Sequence, residues 1–229
     1  MRPLVIIGGY LTSPNDFAPL AQLLSTSPYG YQTFIAPISR TRWLITRDWD
    51  FRKVIAIVRA TVEQALSASG AEQVDILAHS VGGMVARMYM GEQPYKGEVY
   101  GGHRYVRRLT MLGTPHHSQE HWTRQSVGFV NSTYPGAFYP EVRYTSVVGR
   151  AIQGNPRGTL IERMSSTSYS TVSGPSFLEA WGDGISTLEC AALSGAEYLA
   201  VQGVSHSPFH GRPWYGDQEG LALWGKVLR

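Results

Sequence analysis

The sequence predicts the α/β class: a mainly parallel sheet covered by helices on both faces, in one domain spanning residues 1–229. Three observations predict it. Short apolar runs that end in glycine alternate with amphipathic stretches at helical spacing. The 229 residues suit one domain with a sizeable core. Hydrophobic residues at 43% against 16% charged give a globular balance rather than a disordered or membrane-spanning one.

Each element follows from local pattern. "PLVIIGG" (3–9) is an apolar run closed by glycines, a buried strand. "SPNDFAPLAQLLS" (13–25) places Phe17, Leu20, Ala21 and Leu24 on one helical face, with Ser13-Pro14 as its start. "YQTFIAPI" (31–38) reads as a strand. Residues 50–69 read as a long helix with Val54, Ile57, Val58, Thr61, Val62 and Ala65 inward and Gly70 as its stop. "QVDILAH" (73–79) is a strand and "VGGMVARMYMGE" (81–92) a helix. Strands follow at 106–115, 141–150 and 197–204, and a closing helix at 216–229. Residues 116–140 and 150–186 break the rhythm. They are rich in polar, hydroxyl and aromatic residues and are expected to form cap or lid segments around 116–140 and 150–182. Of the aromatic residues outside clear helical faces (Trp43, Trp49, Trp122, Phe129, Tyr134, Phe138, Tyr139, Tyr169 and Trp181), a subset is expected to roof an apolar site.

The formal net charge of +3 is mild. The loose clusters Arg40, Arg42, Arg47 and Arg104, Arg107, Arg108 read as solvated faces. No nucleic-acid motif accompanies them, so no nucleic-acid partner is expected. The charge balance allows a weak peripheral contact with anionic lipid surfaces and leaves oligomeric state open. Cys190 is the only cysteine, so the fold does not depend on an internal disulfide. In "TLECAAL" it reads as a buried packing residue on a helix. The N-terminus enters a strand directly, with no signal-peptide pattern and no 18-residue apolar run. That gives an expectation of a cytoplasmic protein.

The chemistry-bearing stretch is "DILAHSVGGMVAR" (75–87). In an open parallel sheet the active site lies beyond the C-terminal strand ends, where Ser80 falls. Ala78-His79-Ser80-Val81-Gly82 is the G-x-S-x-G pattern with alanine at its first position. Small residues are needed there because strand and helix backbones press together. The turn lifts the Ser80 hydroxyl out of the sheet. It also leaves the Val81 N–H at a helix start, where partial positive charge favours a developing oxyanion.

Serine needs a base oriented by an acid, in the chain order Ser, Asp or Glu, His for this topology. After Ser80 the aspartates are Asp183 and Asp217, and no histidine follows Asp217. Asp183, between glycines in "WGDGIS", is the acid, with Glu179 and Glu189 as runners-up. His206, just after the last strand, is the base, and His210 reads as a rim residue. His79 adjoins the nucleophile, but neighbours on a strand point to opposite sides, so it is expected to pack or hydrogen-bond beneath the turn.

The pieces "IIGGYLTSP", "ILAHSVGGMVAR", "LTMLGTPHHS", "EAWGDGIS" and "GVSH" occur in one order over nearly the whole chain. Together they resemble the α/β-hydrolase superfamily, closest to its lipase- and esterase-like members. The resemblance implies the α/β-hydrolase fold and an oxyanion loop at Gly8-Gly9-Tyr10. The second donor is then the Tyr10 N–H, with Leu11 as the alternative. Many relatives have His-Gly where this chain has Gly-Gly. The pocket is expected to involve Leu11, His79, His116 and His117.

"HSQEH" (117–121) also matches H-x-x-E-H, a zinc-peptidase pattern, but no helical periodicity encloses it, so the zinc reading is subordinate. The leading expectation is therefore a serine hydrolase. It would cleave a small-molecule or lipid carboxylic ester with an apolar acyl group, through an acyl-enzyme and with no cofactor or metal. An acyltransferase or thioesterase would use the same triad. A ligand receptor on the same fold is the non-catalytic alternative.

Overall fold

A computed structural model gives the architecture. It describes residues 1–46 and 50–229, except for the Trp122 side chain. Arg47, Trp49 and the Trp122 side chain, named above, lie outside the described residues. The elements are β1 (Arg2–Ile7), α1 (Pro14–Ser25), β2 (Tyr31–Ile35), α2 (Arg40–Leu44), α3 (Arg52–Ser69), β3 (Val74–His79), α4 (Val81–Met90), β4 (Val106–Leu112), α5 (His121–Thr133), β5 (Arg143–Arg150), β6 (Ile152–Gln153), α6 (Leu160–Val172), β7 (Trp181–Gly182), β8 (Glu197–Gln202) and α7 (Gln218–Trp224). Six strands form one sheet in the order β2-β1-β3-β4-β5-β8, every pair parallel.

The apolar runs arise because both sheet faces are covered. In β1, Val5 and Ile7 join a core with α3 and α4. Leu4 and Ile6 point the other way into a core with α1 and α7, where Phe17, Leu20 and Trp224 sit. These four strand residues are essentially inaccessible to water. Burial of such a side chain stabilises by about 1.5–3 kcal/mol.

Helix ends follow the sequence signals. The Ser13 backbone N–H and hydroxyl both donate to Asp16 Oδ2, and Pro14 opens α1. Gly70 ends α3 in the left-handed conformation, its N–H donating to the Leu66 carbonyl at 2.9 Å. The inward stripe of α3 is turned slightly from expectation: Ile55 is buried and Ile57 half-buried.

The segments without clear sequence periodicity carry secondary structure of their own. Residues 116–140 contain α5, and 150–182 contain α6 together with the antiparallel β6–β7 pair. The Ser/Thr-rich stretch is helical for a local reason. Thr159 and Glu162 form a capping box, and the Thr167 and Thr171 hydroxyls donate to carbonyls one turn back. Cys190 is buried as expected, but in a turn rather than on a helix. The Thr187 hydroxyl accepts from the Cys190 N–H and competes with helix formation. Among the described residues no helix is long and apolar enough to cross a membrane.

Where β5 and the segment after β8 meet, a Cβ on Gly149 would fall on the Val204 carbonyl oxygen and 3.2 Å from the Asp183 Cβ. Gly128, inside α5, faces open space. Gly149→Ala should therefore destabilise the fold by about 2 kcal/mol or more. Gly128→Ala should stabilise it by about 0.5–1 kcal/mol through helix propensity. Urea denaturation of the two variants checks both signs.

Candidate active site

The site is assembled from the turns that follow β1, β3, β7 and β8. Ser80 sits between β3 and α4 with φ 55° and ψ −134°, a backbone conformation L-residues rarely adopt. Such a conformation costs on the order of 1–3 kcal/mol and must be held by its surroundings. Here the Ser80 N–H donates to the Leu112 carbonyl at 2.9 Å, and the Ser80 carbonyl accepts from Thr114 Oγ1 at 2.8 Å and Gly83 N at 3.0 Å. Gly82 lets α4 approach β1, since a Cβ there would lie 2.7 Å from the Gly8 carbonyl oxygen. A Cβ on Gly9 would lie 2.6 Å from the Ser80 Cβ, so the turn after β1 rests directly against the serine.

Asp183 is fully buried and its carboxylate is saturated with donors. Oδ2 accepts from His206 Nδ1 at 2.8 Å and from the Tyr215 hydroxyl at 2.9 Å. Oδ1 accepts from the N–H groups of Ser186 at 2.8 Å and Ile185 at 3.0 Å. The His206 N–H also donates to the Asp183 carbonyl at 2.8 Å. Burial alone would raise the Asp183 pKa. The charge and hydrogen bond of His206, with the two backbone donors, outweigh it and hold the pKa below the ordinary value. Burial, then the Asp183 charge, push Tyr215 well above the ordinary tyrosine value, so it remains a donor. Glycine is required at Gly113, where a Cβ would fall on Asp183 Oδ2.

Ser80, Val81, His206, His79, Tyr10 and Leu11 all line one cavity of about 420 Å³. The Ser80 and His206 side chains both line this space, and no hydrogen bond joins them. His79 is buried beneath them, its Nε2 paired with the His206 carbonyl at 3.0 Å. Gly9 to Thr12 form a tight turn in which the Thr12 N–H donates to the Gly9 carbonyl at 3.1 Å and Leu11 has φ 60°. Arg40 Nε donates to the Leu11 carbonyl at 3.1 Å, while its guanidinium is paired with Asp16 at 2.8 Å. A second groove, of about 960 Å³, borders the first along Tyr10, Leu11 and His79 and continues to Leu23, Phe209 and Trp214.

His116 and His117 lie elsewhere. His116 is wholly buried, its Nδ1 3.4 Å from the Arg87 guanidinium and its carbonyl accepting from Asn131. His117 is exposed, and neither lines the Ser80 cavity. His210 lines the cavity, paired with the Ser207 hydroxyl at 2.8 Å. Glu179 and Glu189 are exposed, and Asp217 caps α7. Among the described residues no three His, Cys, Asp or Glu side chains are grouped to hold a metal.

Among the described residues the expected aromatic roof is not what lines this cavity. Phe129, Tyr134, Phe138 and Tyr139 pack on one another, and the described cap residues at the cavity are Glu120, Val172 and hydroxyl residues. Sequence reasoning missed Tyr215, which lies in "PWYGD" with no local signature, and missed the cap hydroxyls. The i, i+4 spacing of Thr167 and Thr171 was the available signal for the latter.

The buried histidines give a pH signature. Burial first, then the neighbouring His206, lower His79 to about 3. Burial, then Arg87, lower His116 well below its ordinary value. Both are neutral in the fold and take up a proton on unfolding once pH falls below the unfolded value of about 6.5. Their contribution is fully present above that pH and is lost as pH falls toward the folded values. At pH 5 each should cost about 2 kcal/mol relative to pH 7. Urea midpoints measured from pH 7.5 to 4.5 should fall, and His116→Asn should flatten the slope.

No protein-family model matches the chain, and no curated protein matches it. Solved structures do. EstA from Clostridium botulinum superposes with a TM-score of 0.63 at 10% identity, over 99% of this chain and 87% of that one. Thermogutta terrifontis esterase 2, phosphoramylated by tabun, gives 0.55 at 14% identity, over 99% and 79%. Phospholipase PlaB from Legionella pneumophila gives 0.56 at 13% identity over 90% of this chain, which spans about half (52%) of that protein. With its parallel sheet and the strained turn after β3, the chain has the α/β-hydrolase fold.

Proposed function

We propose that this protein is a serine hydrolase that cleaves carboxylic esters with an apolar acyl group. The observation that carries the reading is the buried Asp183–His206 pair opening into the same cavity as Ser80 on its strained turn. The fold shared with esterases and a phospholipase supports hydrolysis in general.

Ser80 attacks the carbonyl carbon as His206 Nε2 takes its proton. Asp183, ionised and hydrogen-bonded to Nδ1–H, fixes the tautomer and stabilises the imidazolium. The Val81 and Tyr10 N–H groups receive the oxyanion, with Leu11 as the alternative to Tyr10. A donor in such a position contributes about 3 kcal/mol to the barrier reduction. His206 then protonates the leaving alcohol and activates water to release the acid. The groove along Leu11, Leu23, Phe209 and Trp214 supplies apolar wall for the acyl chain. A thioesterase or acyltransferase would differ only in leaving group or acceptor.

A fluorophosphonate probe should label wild-type protein and fail to label Ser80→Ala; labelling that persists in the variant removes the serine from the mechanism. On p-nitrophenyl esters of rising chain length, Asp183→Asn should lower kcat on the order of 10⁴-fold. Tyr215→Phe removes one hydrogen bond to the charged carboxylate and should lower kcat about tenfold with little change in KM. Equal activity of the Asp183 variant and wild type would exclude the triad.

A further inference from the structure

The Ser80 cavity and the apolar groove meet at a throat. Tyr10, Leu11 and Thr12 of the turn after β1, His79, and Ser207 and His210 of the loop after β8 line both spaces. His210 is the ring in that throat which the ester-hydrolase reading leaves unused. Its position is fixed by its neighbours. Nδ1 is paired with the Ser207 hydroxyl at 2.8 Å, and the His210 backbone N–H donates to the Ser207 carbonyl at 3.0 Å. The ring lies on the turn that carries Asp183, where a Cβ on Gly184 would come 2.7 Å from His210 Cδ2. Among the described residues no group bonds His210 Nε2, and this nitrogen is not sealed from solvent. By contrast, Thr12 Oγ1 donates to the Gly9 carbonyl at 2.7 Å, and His79 Nδ1, also without a partner, is enclosed against Gly9. His210 Nε2 is thus a fixed and accessible hydrogen-bonding atom on the way from the serine into the groove.

Burial, then the neighbouring His206, lower the His210 pKa to about 4, so at neutral pH the ring is uncharged. A neutral imidazole carries one N–H and one lone pair. The Ser207 hydroxyl can donate to Nδ1 or accept from it, so Nε2 can answer a ligand as acceptor or as donor. The ring centres of His206 and His210 are 6.1 Å apart. A group bonded to His210 therefore sits within a few carbon atoms of the carbonyl that His206 serves. Resting on the ester-hydrolase reading, we propose that His210 is a specificity-determining residue that hydrogen-bonds an oxygen substituent, hydroxyl or keto, on the first carbons of an otherwise apolar acyl chain. A plain hydrocarbon chain that enters the groove displaces water from Nε2 and returns no bond. A chain with an oxygen at that point replaces the bond that is lost. A site that pairs such an oxygen discriminates against the analogue lacking it, because its own polar group is otherwise left unpaired.

The test uses the full chain and two esters that differ by one oxygen, ethyl octanoate and the better enantiomer of ethyl 3-hydroxyoctanoate. Wild type should prefer the hydroxy ester about tenfold in kcat/KM, the worth of one hydrogen bond gained and one unpaired nitrogen avoided. His210→Asn places its amide where Nδ1 lies, keeps a partner for Ser207 and has nothing at Nε2. It should bring the ratio of the two esters to about one. His210→Gln carries its amide out to the Nε2 position and should recover most of the preference. A merely structural role for His210 would lower both esters alike and leave their ratio as it is. Equal kcat/KM of wild type on the two esters, a ratio that His210→Asn does not move, or one that His210→Gln does not recover would overturn the assignment while leaving the hydrolase reading intact. No turnover of either ester would overturn the assignment too, and, with Ser80 unlabelled by fluorophosphonate, the hydrolase reading as well.

Discussion

The Asp183 carboxylate is the constraint around which this molecule is arranged. A buried charge without partners is costly, and its own desolvation would drive it neutral. It stays ionised because four donors converge on it: a ring N–H from the turn after β8, a phenol from the segment before α7, and two backbone N–H groups of its own turn. Each donor fixes a different stretch of chain. The Tyr215 hydroxyl also accepts from the Gly149 N–H at 2.7 Å and so ties β5 into the same cluster. Gly113 lacks a side chain because the carboxylate occupies the space a Cβ would need, and Gly149 because the Val204 carbonyl does, with the Asp183 Cβ 3.2 Å away. The polar centre thus specifies which backbones meet, while the two apolar cores supply most of the stabilisation.

That division explains what could be read from the sequence. Strands buried on both faces are continuous apolar runs, so β1, β3 and β4 are legible within a few residues. The turn at Ser80 is legible because close backbone approach demands Ala78 and Gly82. Asp183 and His206 could be chosen because chain order leaves few candidates. Tyr215 could not, since nothing local distinguishes a tyrosine that bonds a carboxylate 32 residues away in sequence. The helices inside the cap could not be read for a different reason. Ser and Thr compete with helix hydrogen bonds in general, yet in α6 they bond back into the helix, and a capping box starts it. Composition alone cannot tell these outcomes apart. The pairing of Thr159 with Glu162 could have.

His116 shows the limit of reading a residue type as a role. A histidine in a polar segment near a strand end suggested a pocket wall, yet it is enclosed beside Arg87, a guanidinium that is also buried. Arg87 meets carbonyl oxygens of Asn131 and Tyr134 rather than a carboxylate. Burial lowers it to about 10, still far above neutrality, so it remains charged; burial first, and then this charge, keep His116 unprotonated. The pair fastens the segment after β4 to α4 and α5, the point from which the cap departs.

Among the described residues lining the cavity, the non-glycine ones at positive φ are Leu11 and Ser80, and Gly9 packs against the Ser80 side chain. Strain at both sides of one cavity implies that the surrounding bonds hold both peptides against relaxation. For Ser80 those bonds come from β4 and its following loop, deep in the sheet. For Leu11 they come from Arg40, itself held by Asp16, the residue that also caps α1. The serine is therefore fixed by the core, whereas the opposing turn, closed by the Thr12 bonds to the Gly9 carbonyl and by the Tyr10–Trp43 ring contact, also leans on a half-exposed ion pair at the surface. Salt and solvent reach the second and not the first. The turn facing Ser80 thus carries a restraint that ionic strength reaches, which the turn holding the serine does not.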